Sequence, residues 1–385
     1  MKVLHACNYH RSAWGSDKAW DKTIRLSQEA GIDAAVFSRD SKDLPAGLRG
    51  KLQAFAGGIY PREGVRAFGQ ALEAFRPDVV QTHELYPLIS PWILRRCAAA
   101  RVPVVHTCYD YRLTCPIATH FTAGRMCREC VGGREHRAVV NNCRGNLAES
   151  AAYALRNAVA RRFRLFQAHV SQFLVLTEFS RRWLIREVGV APDRITIQPC
   201  VIPAPDAGVD AASGAYVAYA GRFAVEKGVD TLIAAARLAG LPVRLAGNAA
   251  THPALRPGDP VECVTTRSPA DLAAFYRGAR MLVVPSLWEE TFSIVAAEAM
   301  SHGVPVIAAR IGALPDTVLD GQTGLLVPPG DPAALAGAMR LVWDDAALCR
   351  RLGAAARQRV VTEFDAAAHL RQLRLAYARA ARVTL

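Results

Sequence analysis

Two glutamates in the second half of the chain occupy positions where carboxylates are chemically useful. Glu290 lies in the run Pro285-Ser286-Leu287-Trp288-Glu289-Glu290-Thr291-Phe292-Ser293, which joins an apolar strand-like segment at 281–284 to a helix-like one at 293–301. Glu298 falls about two turns into that helix at 3.6 residues per turn, flanked by Ala296, Ala297, Ala299 and Met300. A carboxylate among apolar neighbours needs a partner. One of the pair could accept from sugar hydroxyls and the other from a ribose. In the plainer alternative, Glu290 only complements the helix dipole and Glu298 belongs to a solvated face. The amides of Phe292, Ser293 and Ile294 would stand unpaired at the helix start, which makes an anion site.

Two cations precede this segment. After the strand-like residues 216–220 come Gly221-Arg222 and then Glu226-Lys227-Gly228, ahead of a helix. The glycines permit tight turns. Arg222 brings a fork of donors and Lys227 a point charge, a combination suited to a diphosphate. Taken alone, the loop could equally be an ordinary one with two solvated cations.

The elements that must position these residues alternate along the whole chain. In the first half, strands are expected at 2–6, 33–37, 52–56, 78–82, 102–106, 173–176 and 195–197. Helices are expected at 17–30, 63–75, 147–168 and 180–188. Residues 199–214, rich in proline and without periodicity, read as a linker. The pattern then restarts, with strands at 216–220, 243–246, 281–284, 304–308 and 324–327. Helices are expected at 229–239, 269–277, 293–301 and 314–319, and again from 332, 346 and 366. Short apolar strands separated by helices mean βαβ units and parallel sheets. Such sheets bind ligands beyond the carboxyl ends of their strands, where both cations and Glu290 fall. The fold class is therefore α/β, with two doubly wound, Rossmann-like domains. The expected division is 1–200, 201–365 and a final helical segment, 366–385.

Composition agrees with this organisation. A chain of 385 residues exceeds one ordinary core, and 51% hydrophobic with 21% charged residues is the profile of a globular protein rather than a disordered one. No apolar run reaches the roughly 18–20 residues that span a bilayer, and the first residues do not form a signal-peptide core. The expectation is a cytoplasmic protein. The net charge of +13 is lopsided: residues 1–200 carry 29 Lys and Arg against 17 Asp and Glu, and the remainder 18 against 17. A basic first domain suggests a polyanionic partner such as an anionic membrane or phosphorylated lipid. Solubilising surface charge is the alternative. For nucleic acid, zinc-finger spacing, an aromatic-basic stacking pattern and a basic tail are all missing, and that partner is not expected.

These residues carry a resemblance. Gly221-Arg222 with Lys227-Gly228, Glu290-Thr291-Phe292-Ser293-Ile294 leading to Glu298-Ala299-Met300, then residues 303–308 and 321–327, resemble the retaining glycosyltransferases of family 4. Order and spacing agree over 216–330. The first half is similar more loosely, through Pro77-Asp78-Val79-Val80 with Thr82-His83, through 103–110 and through 175–180. The resemblance implies the GT-B architecture, with the parallel sheets of two domains facing a central cleft, and a nucleotide-diphosphate sugar as donor. It implies that Arg222, Lys227 and the amides of Phe292, Ser293 and Ile294 hold the diphosphate, beside Gly221. Glu298 would hold the ribose, Glu290 the sugar hydroxyls, and Gly15 would lie near a phosphate. It further implies retention of configuration, with departure and attack on one face, and a final helix that crosses back to the first domain. With cations and amides aimed at the leaving diphosphate and no Asp-x-Asp pair at a strand end, no metal cofactor is expected in catalysis.

The sequence departs from the family at one position. Where the family carries His-Asp after the strand ending at His106, this chain has Tyr109-Asp110. Tyr109 can donate through its phenol but does not titrate near neutral pH. His106 is the alternative acceptor-side imidazole if the register shifts. The change leaves open a non-catalytic sugar-nucleotide-binding partner subunit.

Two further segments are distinctive. Residues 111–145 have little periodicity and contain Cys115, Cys127-Arg128-Glu129-Cys130 and Cys143. This fits a small structural zinc site in an inserted loop, with unliganded cysteines as the alternative. A disulfide conflicts with a reducing compartment. Residues 146–169 interleave Arg156, Arg161, Arg162 and Arg164 with apolar residues, as a membrane-docking helix or an ordinary amphipathic core helix would. The expected function is a retaining, metal-independent transferase using a glycan or polyprenyl-diphosphate-linked acceptor in cell-surface polysaccharide synthesis, peripheral on the inner membrane face. Glycosylation of a soluble small molecule is the second expectation.

Overall fold

The computed structural model describes residues 1–10 and 15–382. The chain forms two compact units. The first comprises residues 1–122, 127–198 and the segment from 369 onward, and the second comprises 123–126 and 199–368.

The first unit is built on β1 (Lys2–Tyr9), α1 (Gly15–Glu29), β2 (Asp33–Asp40), α2 (Gly47–Ile59), α3 (Arg62–Phe75) and β3 (Val79–Thr82). It continues with α4 (Ile93–Ala99), β4 (Val104–Cys108) and the short elements β5 (Phe121–Thr122), β6 (Arg125–Met126) and α5 (Arg137–Val140). Then come α6 (Leu147–Arg162), α7 (Leu165–His169), β7 (Gln172–Val175), α8 (Glu178–Trp183) and β8 (Ile195–Ile197). Six strands pair in parallel in the order β2-β1-β3-β4-β7-β8. The chain winds outward from β1 in both directions, so the strand order reverses between β1 and β3.

Helices cover both faces of this sheet, which is why its inner strands are apolar almost without alternation. One face packs on Phe68 and Leu72 of α3 and on Ile93 and Leu94 of α4. The other packs on Leu373, Ala376 and Tyr377 of the last helix, α15 (Ala366–Ala381), against Val3, Val79, Val105 and Leu174. The Tyr377 hydroxyl donates to Gln81 Oε1 within that layer.

The second unit contains β9 (Tyr216–Ala220), α9 (Val229–Ala239), β10 (Val243–Ala246), β11 (Val261–Val264), α10 (Pro269–Arg277) and β12 (Ala279–Val284). After these come α11 (Ile294–Ser301), β13 (Val306–Ala309), α12 (Leu314–Thr317), β14 (Gly324–Val327), α13 (Pro332–Asp344), α14 (Ala346–Glu363) and the start of α15 (Ala366–Ala381). Its sheet is parallel, in the order β11-β10-β9-β12-β13-β14. The reversal here lies between β9 and β12. No helix among the described residues is long and apolar enough to cross a membrane.

Two local expectations are corrected. Residues 52–56 are helical, inside α2, and not a strand. The sheet ends at β2, and the segment packs as a helix beside α6. The helix expected over 147–168 breaks at Phe163, where Arg164 takes a left-handed conformation with φ of 50° before α7 begins. Strand β11 and helix α4 are further elements that the periodicity did not announce. β11 is a partly exposed edge strand of four residues, and α4 a seven-residue helix behind Pro91.

The arginines of 146–169 also divide. Arg156 is buried, with its guanidinium over the rings of Tyr153 at 3.8 Å and Tyr86 at 4.4 Å. It donates to the Pro116 carbonyl at 3.2 Å. Arg161 pairs with Glu135 at 2.6 Å. Arg162 and Arg164 are exposed, on either side of exposed Phe163.

Leu373 is fully buried between α15 and the first sheet. Leu373→Ala should therefore cost about 2–5 kcal/mol, read as a lowered midpoint in urea unfolding of the full chain. An unchanged midpoint would mean that this helix is not held by its apolar face.

Candidate functional site

In the second unit, the loops after β9 and β12 flank the strand-order reversal, the position where open α/β sheets bind ligands. Lys227 donates to Glu290 Oε1 at 2.8 Å, and the Ser286 hydroxyl donates to the same oxygen at 2.6 Å. Glu290 is buried, with its side chain 7% exposed against 21% for Lys227. Lys227 Nζ also stands 5.1 Å from the centroid of the Trp288 ring. Backbone bonds tie the loops together: Leu287 N–H donates to the Glu226 carbonyl at 2.8 Å, and Ala313 N–H to the Glu290 carbonyl at 2.9 Å. Gly228 has φ of 69°, and a Cβ there would lie 1.9 Å from the Pro285 carbonyl oxygen. Only glycine permits this approach of the two loops.

Arg222 is less constrained. Its side chain is 64% exposed and meets Glu226 at 3.2 Å, a solvated pair worth little for stability and available to an incoming anion. Gly221 directly follows β9, and the Tyr219 hydroxyl donates to the Arg222 carbonyl at 2.8 Å. Phe292 and Ser293 are buried just before α11, and Ile294 is its first residue. The first bond of that helix runs from Ala297 N–H to the Ser293 carbonyl, so the amides of 294–296 precede it. Ser293 is the N-cap residue, yet its hydroxyl makes no cap bond and is buried without a partner among the described residues. Glu298, half-buried on α11, accepts from the Tyr276 hydroxyl at 2.9 Å. Burial and this carboxylate push the Tyr276 phenol well above its ordinary range.

In the first unit, side chains at the ends of β3 and β4 line a small, solvent-open pocket that includes His83, Glu84, His106, Tyr109, Asp110 and Arg112. Tyr109 Oη lies 3.0 Å from His83 Nδ1, and His83 Nε2 lies 3.2 Å from His5 Nδ1, with the imidazoles stacked. Burial lowers the pKa of both histidines, that of His5 to about 3, so they are neutral near pH 7. His106 lies within β4, its Nδ1 2.8 Å from Thr82 Oγ1 and its ring 4.8 Å from Phe166; burial lowers its pKa to about 4. Asp110 is held by Arg112 at 2.9 Å, and Arg112 reaches Glu84 at 2.8 Å. Burial pushes the Glu84 carboxyl up, against the pull of Arg112. Gly15 is the first residue of α1; residues 11–14 before it lie outside the described residues.

The structure thus brings Lys227, Glu290 and the start of α11 together, and separately gathers Tyr109, Asp110 and His106 around one cavity. Sequence reasoning had overlooked Ser286, Tyr276, His5 and the Glu84–Arg112 pair, and gave His83 no role of its own. His83 directly follows β3 and Ser286 is the second residue after β12, the signal that could have found them. His5 and Tyr276 lie inside regular elements, where no spacing marks them.

A family model described as Glycosyl transferase 4-like domain matches residues 15–200, and one described as Glycosyl transferases group 1 matches 214–345. The chain belongs to the family-4 type of glycosyltransferases. Its fold is GT-B. Sucrose-phosphate synthase from Thermosynechococcus elongatus superposes with a TM-score of 0.68 at 22% identity, over 97% of this chain and 98% of that one. HepE of Anabaena, solved with UDP, superposes with a TM-score of 0.64 at 18% identity, over 97% and 99%. In sequence, the D-inositol 3-phosphate glycosyltransferase of Streptomyces avermitilis is 49% identical over 98 residues, 25% of this chain and 21% of that protein. The chain therefore spans about a fifth of the length of that curated relative. Within this family-4-type chain, Tyr109 stands where the family pattern has histidine, and its hydroxyl contacts an imidazole instead of being one.

Gly228→Ala should strain the loop by about 1–3 kcal/mol and push the loops that carry Lys227 and Glu290 apart. The expected readout is a lower thermal midpoint; an unchanged one would show that the two loops approach less closely than their backbone bonds require.

Proposed function

We propose that this chain transfers a sugar from a nucleoside-diphosphate sugar to a glycan or polyprenyl-diphosphate-linked acceptor in cell-surface polysaccharide synthesis. In this reading the anomeric configuration is retained and no metal takes part at the reacting centre. The observation that carries the reading is the Lys227–Glu290–Ser286 cluster at the β9/β12 reversal, beside the uncapped start of α11.

The chemistry follows from the charges. As the glycosidic bond breaks, negative charge gathers on the departing diphosphate and positive charge on the sugar ring. Arg222, Lys227 and the amides opening α11 would stabilise the diphosphate before the bond breaks, without reorganising. Both hydrogen bonds that Glu290 makes among the described residues fall on Oε1, which leaves Oε2 to accept from sugar hydroxyls. Glu298, already aligned by Tyr276, would accept from the ribose. The cavity at Tyr109, His83 and Asp110 would receive the acceptor side, with the phenol oriented by His83. Because HepE is solved with UDP, uridine nucleotides are the first donors to test.

The exposed group Arg162, Phe163 and Arg164 supports peripheral docking on an anionic membrane, where a lipid-linked acceptor would be found. The names of the curated relatives support a second reading, in which the acceptor is a soluble phosphorylated polyol.

Calorimetry against a panel of nucleoside diphosphates and their sugars, without divalent metal, tests the reading. One nucleotide should bind saturably, and Glu298→Ala should weaken it by about tenfold or more, the worth of a hydrogen bond to a charged group. Lys227→Ala should lower turnover by at least a similar factor, measured as nucleotide release with acceptor present. No binding across the panel would overturn the proposal, and an inverted anomer in the product would overturn retention.

A further inference from the structure

Cys115, Cys127, Cys130 and Cys143 line one cavity in the loop between β4 and α6, but among the described residues no group of three or more His, Cys, Asp or Glu side chains is placed to hold a metal ion. The buried histidines at the carboxyl end of the first sheet do form an ordered set. His5 lies within β1, His83 directly follows β3 and Tyr109 directly follows β4, three neighbouring strands of one sheet. His5 stands in register with Gln81, and the His83 N–H donates to the Ala6 carbonyl at 3.0 Å, so the ladder itself brings the rings together. Trp20 of α1, fully buried, packs against two of them, with ring centroids 5.9 Å from His83 and 6.0 Å from Tyr109.

Hydrogen bonds run through this set in one line. Tyr109 Oη lies 3.0 Å from His83 Nδ1, His83 Nε2 lies 3.2 Å from His5 Nδ1, and His5 Nε2 is buried without a partner among the described residues. A neutral imidazole has one N–H and one bare nitrogen, and burial keeps both rings neutral. The line can therefore point in only two directions. In one, Tyr109 donates to His83, His83 donates to His5, and the orphan at the buried end is the Nε2–H of His5. In the other, His5 donates from Nδ1 to His83 Nε2, His83 donates from Nδ1 to Tyr109 Oη, and the orphan is a bare lone pair. A buried N–H without an acceptor is rarer in native proteins than a bare acceptor, so this packing selects the second direction. The phenol proton is then turned away from His83.

We propose that His5 and His83 fix the Tyr109 hydroxyl as a hydrogen-bond donor toward the pocket that it lines with Asp110 and His106, so that a ligand there must present an accepting oxygen. Given that this pocket takes the acceptor side, as proposed above, what Tyr109 selects is the lone pair of a sugar hydroxyl, met by a donor of set direction. The phenol does not ionise near neutral pH. Tyr109 therefore orients that oxygen and does not take its proton. An imidazole in the same place could exchange donor and acceptor roles by moving its proton from one nitrogen to the other. A phenol that already accepts from an N–H has only its own proton to give. His5 and His83 are positioning residues, which act through Tyr109.

Long-range proton–nitrogen correlation spectra of the full chain, labelled with ¹⁵N in histidine, show which ring nitrogen bears the proton. His5 and His83 should both carry it on Nδ1, and a proton on Nε2 of either ring would overturn the proposal. These spectra need no substrate, so they decide the direction of the line even where no nucleotide sugar is turned over, an outcome that counts against the transfer reading instead. With the nucleotide sugar that is turned over, His5→Phe should lower kcat/KM for nucleotide release by about threefold to tenfold, the worth of one hydrogen bond. In the Tyr109→Phe background, where no hydroxyl is left to orient, the same substitution should change it by less than about twofold. Equal losses in both backgrounds would show a merely structural His5 and sink the proposal. Should His5→Phe fail to fold, the wild-type spectra still decide.

Discussion

The buried ion pair between Lys227 and Glu290 is the interaction on which the rest of the donor-side arrangement depends. A carboxylate 7% exposed is unstable without a cation. The requirement pins the loop after β9 to the loop after β12, at the one place in the sheet where consecutive connections leave in opposite directions. Ser286 supplies a second donor, and Gly228 allows the backbones to meet. Once the loops are so tied, α11 begins beside them with an uncapped first turn. The charges are thus oriented before any ligand arrives, which is the condition under which fixed dipoles and cations act most strongly on a developing charge.

The first unit meets its polar burial differently. His5, His83 and His106 are packed away from water and kept neutral by burial, so they transmit hydrogen bonds without carrying charge. Charge in the neighbouring cavity is confined to Asp110, Arg112 and Glu84, which neutralise one another in part. Tyr109 sits between these two groups, in contact with the neutral rings. The substitution of a phenol for an imidazole therefore keeps a polar group at the position and links it to the buried imidazole of His83.

Some of the net positive charge is structural. Arg156 is stacked between two tyrosines and Arg161 is spent on Glu135, so half of the arginines in that segment serve the interior or its rim. A count of charges along a helix says nothing about which of them face water, because a long side chain can lay its guanidinium on aromatic faces. Only Arg162 and Arg164 of the four are left to present charge outward without a carboxylate partner shown for them.

The legible part of the sequence was the part written in local terms. Apolar strands separated by helices specify a parallel α/β unit because each strand must be covered on both faces, and two such runs with a proline-rich break specify two sheets. Glu290, Lys227 and Arg222 could be found because they lie in the loops that follow strands, and strand ends are where such sheets bind. What the sequence left undecided needed contacts between distant residues. Whether 52–56 became strand or helix depended on the sheet stopping at β2. The roles of His83, Ser286 and Tyr276 depended on which side chains the folded chain set within hydrogen-bond reach, across separations of up to 78 residues. The cysteines at 115, 127, 130 and 143 were visible as residue types, but their meeting in one cavity was set by the path of a loop that has no period to read. Periodicity and spacing report which face of an element is apolar; tertiary packing alone decides which partners a buried polar group obtains.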